Sequence, residues 1–352
     1  MTDARKSENP PPRRHGFGLS VYGVLYLTGR VAAGTPLANP RPLDAKGFLK
    51  LAIESRLSVV EVSTSFVSAR SDVSELRAFR DAAENGGLRT VIAGPLVLDT
   101  DAVAAEIAVC KEIGATVLRC TMSRLLCGDR APLGGYDGWK EHVAAVVASI
   151  RKNLRAAEKA GVTLAIENHQ DADSDTLEEI CRTFNSASVG VTLDAGNPLA
   201  VGEDPLEFAG RLLPYIADVH LKDYRMITTA EGYRLVHCAI GDGVVDFPGL
   251  WQLLASKPHV PRSIEMAALN ARHIKLLTPE WWEGYGRRDV RSLVPVVRLW
   301  QRRGEPEAGA PEWRTPIELG DITGAETWER ERLARSIENL SRIEGAPYGT
   351  KA

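Results

Sequence analysis

Cysteine and histidine are both scarce here, with five cysteines and seven histidines in 352 residues, and no two cysteines stand in a CxxC pair. A disulfide framework or a cysteine-rich zinc module is therefore excluded, and Cys110, Cys120, Cys127, Cys181 and Cys238 read as reduced packing residues. Long apolar runs are missing too. Every candidate is interrupted by charge well short of the roughly 20 residues that cross a bilayer, so no membrane span is expected. The opening MTDARKSENPPPRRHG has no apolar core of the kind an export signal needs, which makes residues 1–16 a mobile arm and cytoplasmic placement the expectation. Excess positive charge is lacking as well: the formal charge is −3, which offers no basic face for phosphates, so no nucleic-acid partner is expected. No GxGxxG turn follows the first apolar segment, which argues against a dinucleotide-binding open sheet.

What is present is alternation. GFGLSVYGV reads as a first strand, and residues 43–56 carry apolar positions at helical spacing. The order repeats with strands at 57–63, 90–94 and 116–120 and helices near 74–86, 101–113 and 137–160. It continues with TLAIEN, VGVTLD and YIADVHLK, the first two followed by amphipathic segments, and ends with RSIEM at 262–266. Eight such units predict an α/β fold of the closed (β/α)8 barrel type over 17–269. Residues 270–352 exceed what eight units need. They read as a C-terminal helical extension in which Trp281, Trp282 and Trp300 pack against the barrel or against another subunit of a homo- or hetero-oligomer.

Four groups end short β-branched runs: Glu167 in LAIENH, Asp194 in GVTLDAGN, His220 in ADVHLKD and Glu265 in RSIEM. They are spaced by 27, 26 and 45 residues. In a parallel barrel the carboxyl ends of the strands share one rim, so these side chains converge. Three carboxylates and one imidazole make an oxygen-rich set. It suits a single divalent ion, Mn2+ before Mg2+, Co2+ or Zn2+, and without a cation the like charges would repel at the rim.

IENH, LDAGN, VHLKD and IE, in this order and phase, resemble the xylose isomerase-like barrels, the sugar isomerase and epimerase superfamily; IGDGVVDF at 240–247 is similar to their glycine-rich loop before the last strand. The resemblance implies a metal held by Glu167, Asp194, His220 and Glu265, with Glu167 and Glu265 as the base and acid that act on the carbon beside a substrate carbonyl. His169 and Lys222 lie two residues beyond Glu167 and His220, on the same strand faces, and become candidate substrate contacts. His237, Glu61 and Asn197 join them, with Tyr22 and Arg119 on the rim loops. Asn197 marks a departure, because ketose 3-epimerases of this superfamily carry histidine there; the histidines that the related endonucleases need are missing as well.

The expected activity is a sugar, sugar phosphate or cyclitol isomerase or epimerase working through an enediolate. A lyase on a keto sugar, similar to inosose dehydratases or C-glycoside deglycosidases, comes second, and a non-catalytic carbohydrate-binding subunit third.

Overall fold

The structure is a computed structural model and describes residues 14–31, 33–35, 38–267, 270–307, 314–321 and 323–346. Eight parallel strands close into a barrel: β1 (Gly18–Ser20), β2 (Val59–Ser63), β3 (Arg89–Leu96), β4 (Val117–Thr121), β5 (Thr163–Glu167), β6 (Val189–Asp194), β7 (Ile216–Leu221) and β10 (Arg262–Ile264). β1 pairs with both β2 and β10, which completes the ring, so the predicted (β/α)8 barrel is the fold. The strands read as nearly continuous apolar runs because the wall is covered on both sides.

Helices α1 (Ala45–Glu54), α2 (Val73–Asn85), α3 (Thr100–Ile113), α4 (Gly135–Ala160), α5 (Ser174–Phe184), α6 (Pro205–Leu212) and α7 (Phe247–Leu253) form the outer layer. Asp44, Asp99, Asp173, Asp204 and Asp246 each stand at a helix start and accept a backbone N–H from the first turn. A short acceptor in that position satisfies donors that the helix cannot.

Two features depart from the expected layout. The stretch between the last two barrel strands folds into the hairpin β8 (Tyr224–Thr229) and β9 (Gly232–His237), which β11 (Arg272–Ile274) joins as an antiparallel third strand. Its apolar face packs on Leu199 and Ala200, on Trp281 and Tyr285 around α8 (Pro279–Trp282), and on Val296 and Leu299 of α9 (Val294–Arg303). The segment drawn as an extension therefore splits in two. Residues 272–305 build this cap over the rim after β6. The final helix α10 (Ala325–Gly345) instead puts Leu333 and Leu340 into the same core as the barrel, packs on α7, and follows β10 as the last outer helix. The signal was hidden because some 60 residues separate strand eight from its helix.

Part of the stretch expected to be an arm is anchored. Residues 1–13 lie outside the described residues, but Arg14 donates to the Leu57 carbonyl, His15 N–H to Arg56, and Gly16 N–H to the Glu344 carboxylate at 2.8 Å, so 14–16 are tied to the barrel. Among the described residues no helix is long and apolar enough to cross a membrane, and the five cysteines are free thiols.

Candidate metal centre

Strand register decides which side chains meet. Asp194 stands opposite His220 across β6 and β7, Glu167 stands opposite Thr192, two residues before Asp194, and β10 pairs with β7 so that Ser263 faces His220 and Glu265 follows on the same side. All four candidate ligands thus point into the barrel at one level. One ligand atom of each lies within 4.8 Å of the others, and the residues are at most 4% exposed.

The imidazole is the hub. His220 Nδ1 is 2.8 Å from Glu265 Oε2 and 3.3 Å from Glu167 Oε1, while Nε2 is 2.8 Å from Glu61 Oε2 and 3.7 Å from Asp218. Lys222 Nζ lies 2.6 Å from Asp194 Oδ2 and 2.8 Å from Glu265 Oε1. Arg119 spans Glu61 at 3.2 Å and Glu167 at 3.4 Å. Five buried carboxylates, Glu61, Glu167, Asp194, Asp218 and Glu265, so face Arg119, Lys222 and a protonated His220. Burial alone would lower His220, but Glu265 and Glu61 outweigh it and hold the imidazole well above its ordinary pKa. Burial would likewise raise Glu167, yet Arg119, His220 and His169 bring it down to about 2. Asp218 has no such compensation: burial, helped by Glu61 and opposed by His220, pushes it up to about 7.

The residues fit a divalent ion. Glu167 Oε2, Asp194 Oδ2 and Glu265 Oε2 are buried without a hydrogen bond of good geometry, and three oxygens and a nitrogen already converge. A neutral His220 would offer Nδ1 to the metal and donate from Nε2 to Glu61, the carboxylate behind the ring that fixes its tautomer. Glu61 is wholly buried and reaches His220 and Arg119, so its place is beneath the metal site and away from the mouth. Glu61→Gln is expected to weaken metal affinity about 10–100-fold, read by competition with a chelating dye.

The proton held by His220 makes metal binding pH-dependent. Because the metal must displace it, affinity should rise with pH by about tenfold per unit as long as His220 is protonated in the free protein, that is, below its raised pKa. Calorimetry in buffers of different ionisation enthalpy should register about one proton released per ion bound at neutral pH.

Of the remaining candidates, Asn197 is buried at the start of the turn after β6. Its Oδ1 accepts from Tyr224 Oη at 3.0 Å and Gln170 Nε2 at 3.3 Å, which leaves Nδ2 without a partner. His169 is half-buried with Nδ1 unpartnered. Tyr22 lies against two guanidinium groups, Arg30 and Arg119, each 5.1 Å from its ring centroid. His237 is 4% exposed on the cap, its ring 4.7 Å from that of Tyr224.

Lys222 pairs with the rim acids; the adjacent Asp223 is occupied by the backbone N–H groups of Tyr224, Gly241, Gly243 and Val245. Gly243 must be glycine, since a Cβ there would sit 2.3 Å from Asp223 Oδ1 and 2.4 Å from the Tyr224 carbonyl. Sequence reading missed Asn168, whose amide bridges the Asp194 backbone N–H at 2.7 Å and carbonyl at 3.0 Å, and Gln170, held at φ 78° with its side chain on Asn197, Tyr224 and Cys127. It also missed Asp218, although alternation in ADVH puts it on the His220 face.

A model of the xylose isomerase-like TIM barrel matches residues 60–281. The chain belongs to that family. Among curated proteins it is similar to YihM of Escherichia coli, an uncharacterized protein, at 24% identity over 207 residues, 57% of this chain and 60% of that protein. It is 21% identical to 3-oxo-isoapionate decarboxylase of Pectobacterium atrosepticum over 241 residues, 68% of this chain and 80% of that protein. With inosose dehydratase 1 of Bacillus cereus it shares 28% over 119 residues, 30% of this chain and 40% of that one. Among solved structures, D-psicose 3-epimerase from Clostridium cellulolyticum superposes with a TM-score of 0.54 at 13% identity, covering 85% of this chain and 94% of that chain, a likeness of fold. The proteins to which this chain is similar thus carry the names of an epimerase, a dehydratase and a decarboxylase.

Proposed function

We propose that this protein is a metal-dependent lyase acting on a small polyhydroxylated ketone, in which proton removal beside the carbonyl is followed by loss of a small group from the neighbouring carbon. The observation that carries this reading is the placement of Lys222, with Nζ 2.6 Å from Asp194 and 2.8 Å from Glu265. An epimerase that exchanges roles between two carboxylates needs one of them protonated. Here Glu167 is held at about 2, and Glu265, which burial alone would raise, is kept well below its ordinary range by His220 and Lys222. Both are bases. The group that carries a proton is Lys222: burial would lower it, but Asp194 and Glu265 hold it well above its ordinary pKa.

Glu167, Asp194, His220 and Glu265 would hold the divalent ion, which when bound would supply Lewis-acid polarisation of the substrate carbonyl. Glu167 then takes the α-proton at a carboxylate oxygen, and the C–H electron pair moves into the enolate. Lys222, the residue after β7, gives its proton to the departing hydroxyl, so that water leaves with the C–O electron pair as the enolate collapses. Return of the Glu167 proton to Lys222 through solvent restores the site. Asn197 Nδ2, with no partner, is available to a substrate oxygen, and it replaces the imidazole expected of ketose 3-epimerases. The names of two relatives, a dehydratase and a decarboxylase, support the lyase reading. Isomerisation, the first expectation from sequence, requires Glu265 to act as an acid.

Lys222→Met separates the two. With scyllo-inosose and 3-keto glycosides in D2O, the variant should still exchange the α-proton while forming dehydrated product at least about 100-fold more slowly, the contribution of a positioned acid. Formation of a stereoisomer by the parent enzyme without loss of any group would establish the isomerase instead.

A further inference from the structure

The cap sheet has one face turned toward the site, and register identifies it. Tyr224 pairs with His237, Met226 with Leu235, and Leu235 with Arg272, so these side chains lie on one side of the three strands. Tyr224 fixes which side that is, since its hydroxyl bonds to Asn197 at the rim after β6. Of the rest of this face, Met226, Tyr233, Leu235 and Ile274 are apolar and buried, and Thr228 accepts from the Trp300 indole N–H. His237 and Arg272 are the exceptions. They are diagonal neighbours across β9 and β11, a separation of roughly 7–8 Å between Cα atoms that a long side chain spans.

Both residues hold buried nitrogens without a hydrogen-bond partner. These are both ring nitrogens of His237 and Nε of Arg272, and among the described residues no ion pair involves Arg272. The neighbouring His273 points to the opposite face, toward Thr229 and Glu231. The His237 ring lies 4.7 Å from that of Tyr224, whose hydroxyl reaches Asn197 at the rim, so the imidazole sits beside the candidate centre. Arg272 shares the face that carries Tyr224 and His237, which sets it on the side of the cap turned toward the rim. A half-buried guanidinium with no carboxylate partner among the described residues, beside a neutral imidazole, forms a two-sided donor set for planar or tetrahedral oxygens.

We propose that Arg272 and His237 recognise an anionic group, carboxylate or phosphate, on the substrate, so that the enzyme acts on an acidic keto sugar. This rests on the metal centre being the substrate site, and it holds for a lyase or an isomerase equally. Arg272 binds the anion through its fork of N–H groups and His237 adds one donor, while the reacting carbons lie toward Glu167 and Lys222.

The test is binding of two charged probes and their uncharged counterparts, D-ribulose 5-phosphate against D-ribulose and 5-keto-D-gluconate against L-sorbose, to the full chain in the presence of MnCl2, by calorimetry. At least one charged probe should bind about tenfold or more tighter than its counterpart, and Arg272→Met should remove that preference while changing the neutral sugars less than about threefold. Arg272→Lys should restore part of it, and unchanged thermal melting of both variants checks the fold. Preference for the phosphate alone assigns a sugar phosphate, for the carboxylate alone a sugar acid, and both support the pair. Equal binding of charged and neutral probes, or equal weakening of both by Arg272→Met, overturns the proposal. Because the readout is binding, absence of turnover with either sugar leaves it intact and counts only against the lyase reading.

Discussion

Glu167→Gln is expected to slow incorporation of solvent deuterium into a keto-sugar substrate by about 10²–10⁴-fold, the contribution of a positioned base. Glutamine keeps the shape and one coordinating oxygen but cannot take a proton. It also leaves Arg119, 5% exposed, with Glu61 as its one remaining close carboxylate. Two effects are therefore folded into one substitution. Metal analysis of the purified variant separates them: retained ion with lost exchange assigns Glu167 as the base, whereas proportional loss of both assigns it as a ligand only. Exchange at the parent rate with full metal content would remove Glu167 from the chemistry altogether.

Arg130→Met is expected to destabilise the fold by about 3–5 kcal/mol, the cost of stranding one member of a buried ion pair. Arg130 is 2% exposed and lies between two rings, 4.0 Å from the centroid of Trp139 and 4.1 Å from that of Tyr285. It donates to the Asp171 carbonyl at 2.8 Å, to Gly284 at 3.4 Å, and to Asp173 Oδ2 at 3.0 Å. One side chain thus ties the loops after β4 and β5 to the cap. Burial would raise Asp173, but Arg130 and Thr176 outweigh it and hold the carboxyl below its ordinary value. The pair's contribution is present above the unfolded aspartate pKa of about 3.9 and is lost as pH falls through the lower folded value. Denaturant unfolding at neutral pH measures the cost, and the further change Asp173→Asn should recover part of it by removing the orphaned charge. A midpoint unchanged from the parent would mean that the cap is held by its apolar contacts alone.

The barrel and the convergence of the four candidate ligands were legible because both are written in short-range pattern. Strand length, helix caps and the positions of Glu167, Asp194, His220 and Glu265 at strand ends follow from alternation over a few residues, and the closed ring needs only their repetition. The cap was not legible. YRMITT and GYRLVH become strands because they pair with each other and with RHI 35 residues on, and nothing local in RHI announces that. Arg130 escaped notice for the same reason, since its partners come from positions 139, 171, 173, 284 and 285. Asn168 and Gln170 stand in plain sight beside Glu167, yet their value lies in what they reach on β6 and in the cap.

The bond between Gly16 and Glu344 gives the order of synthesis a physical meaning. All four candidate ligands have been made once residue 265 has been added, but the last outer helix, which packs on the barrel core beside α7, begins only at 325. A growing polypeptide on the ribosome therefore owns a complete set of charged ligands while one flank of its hydrophobic ring is still bare. Early capture of an ion would hold strands five to eight together until that seam is sealed.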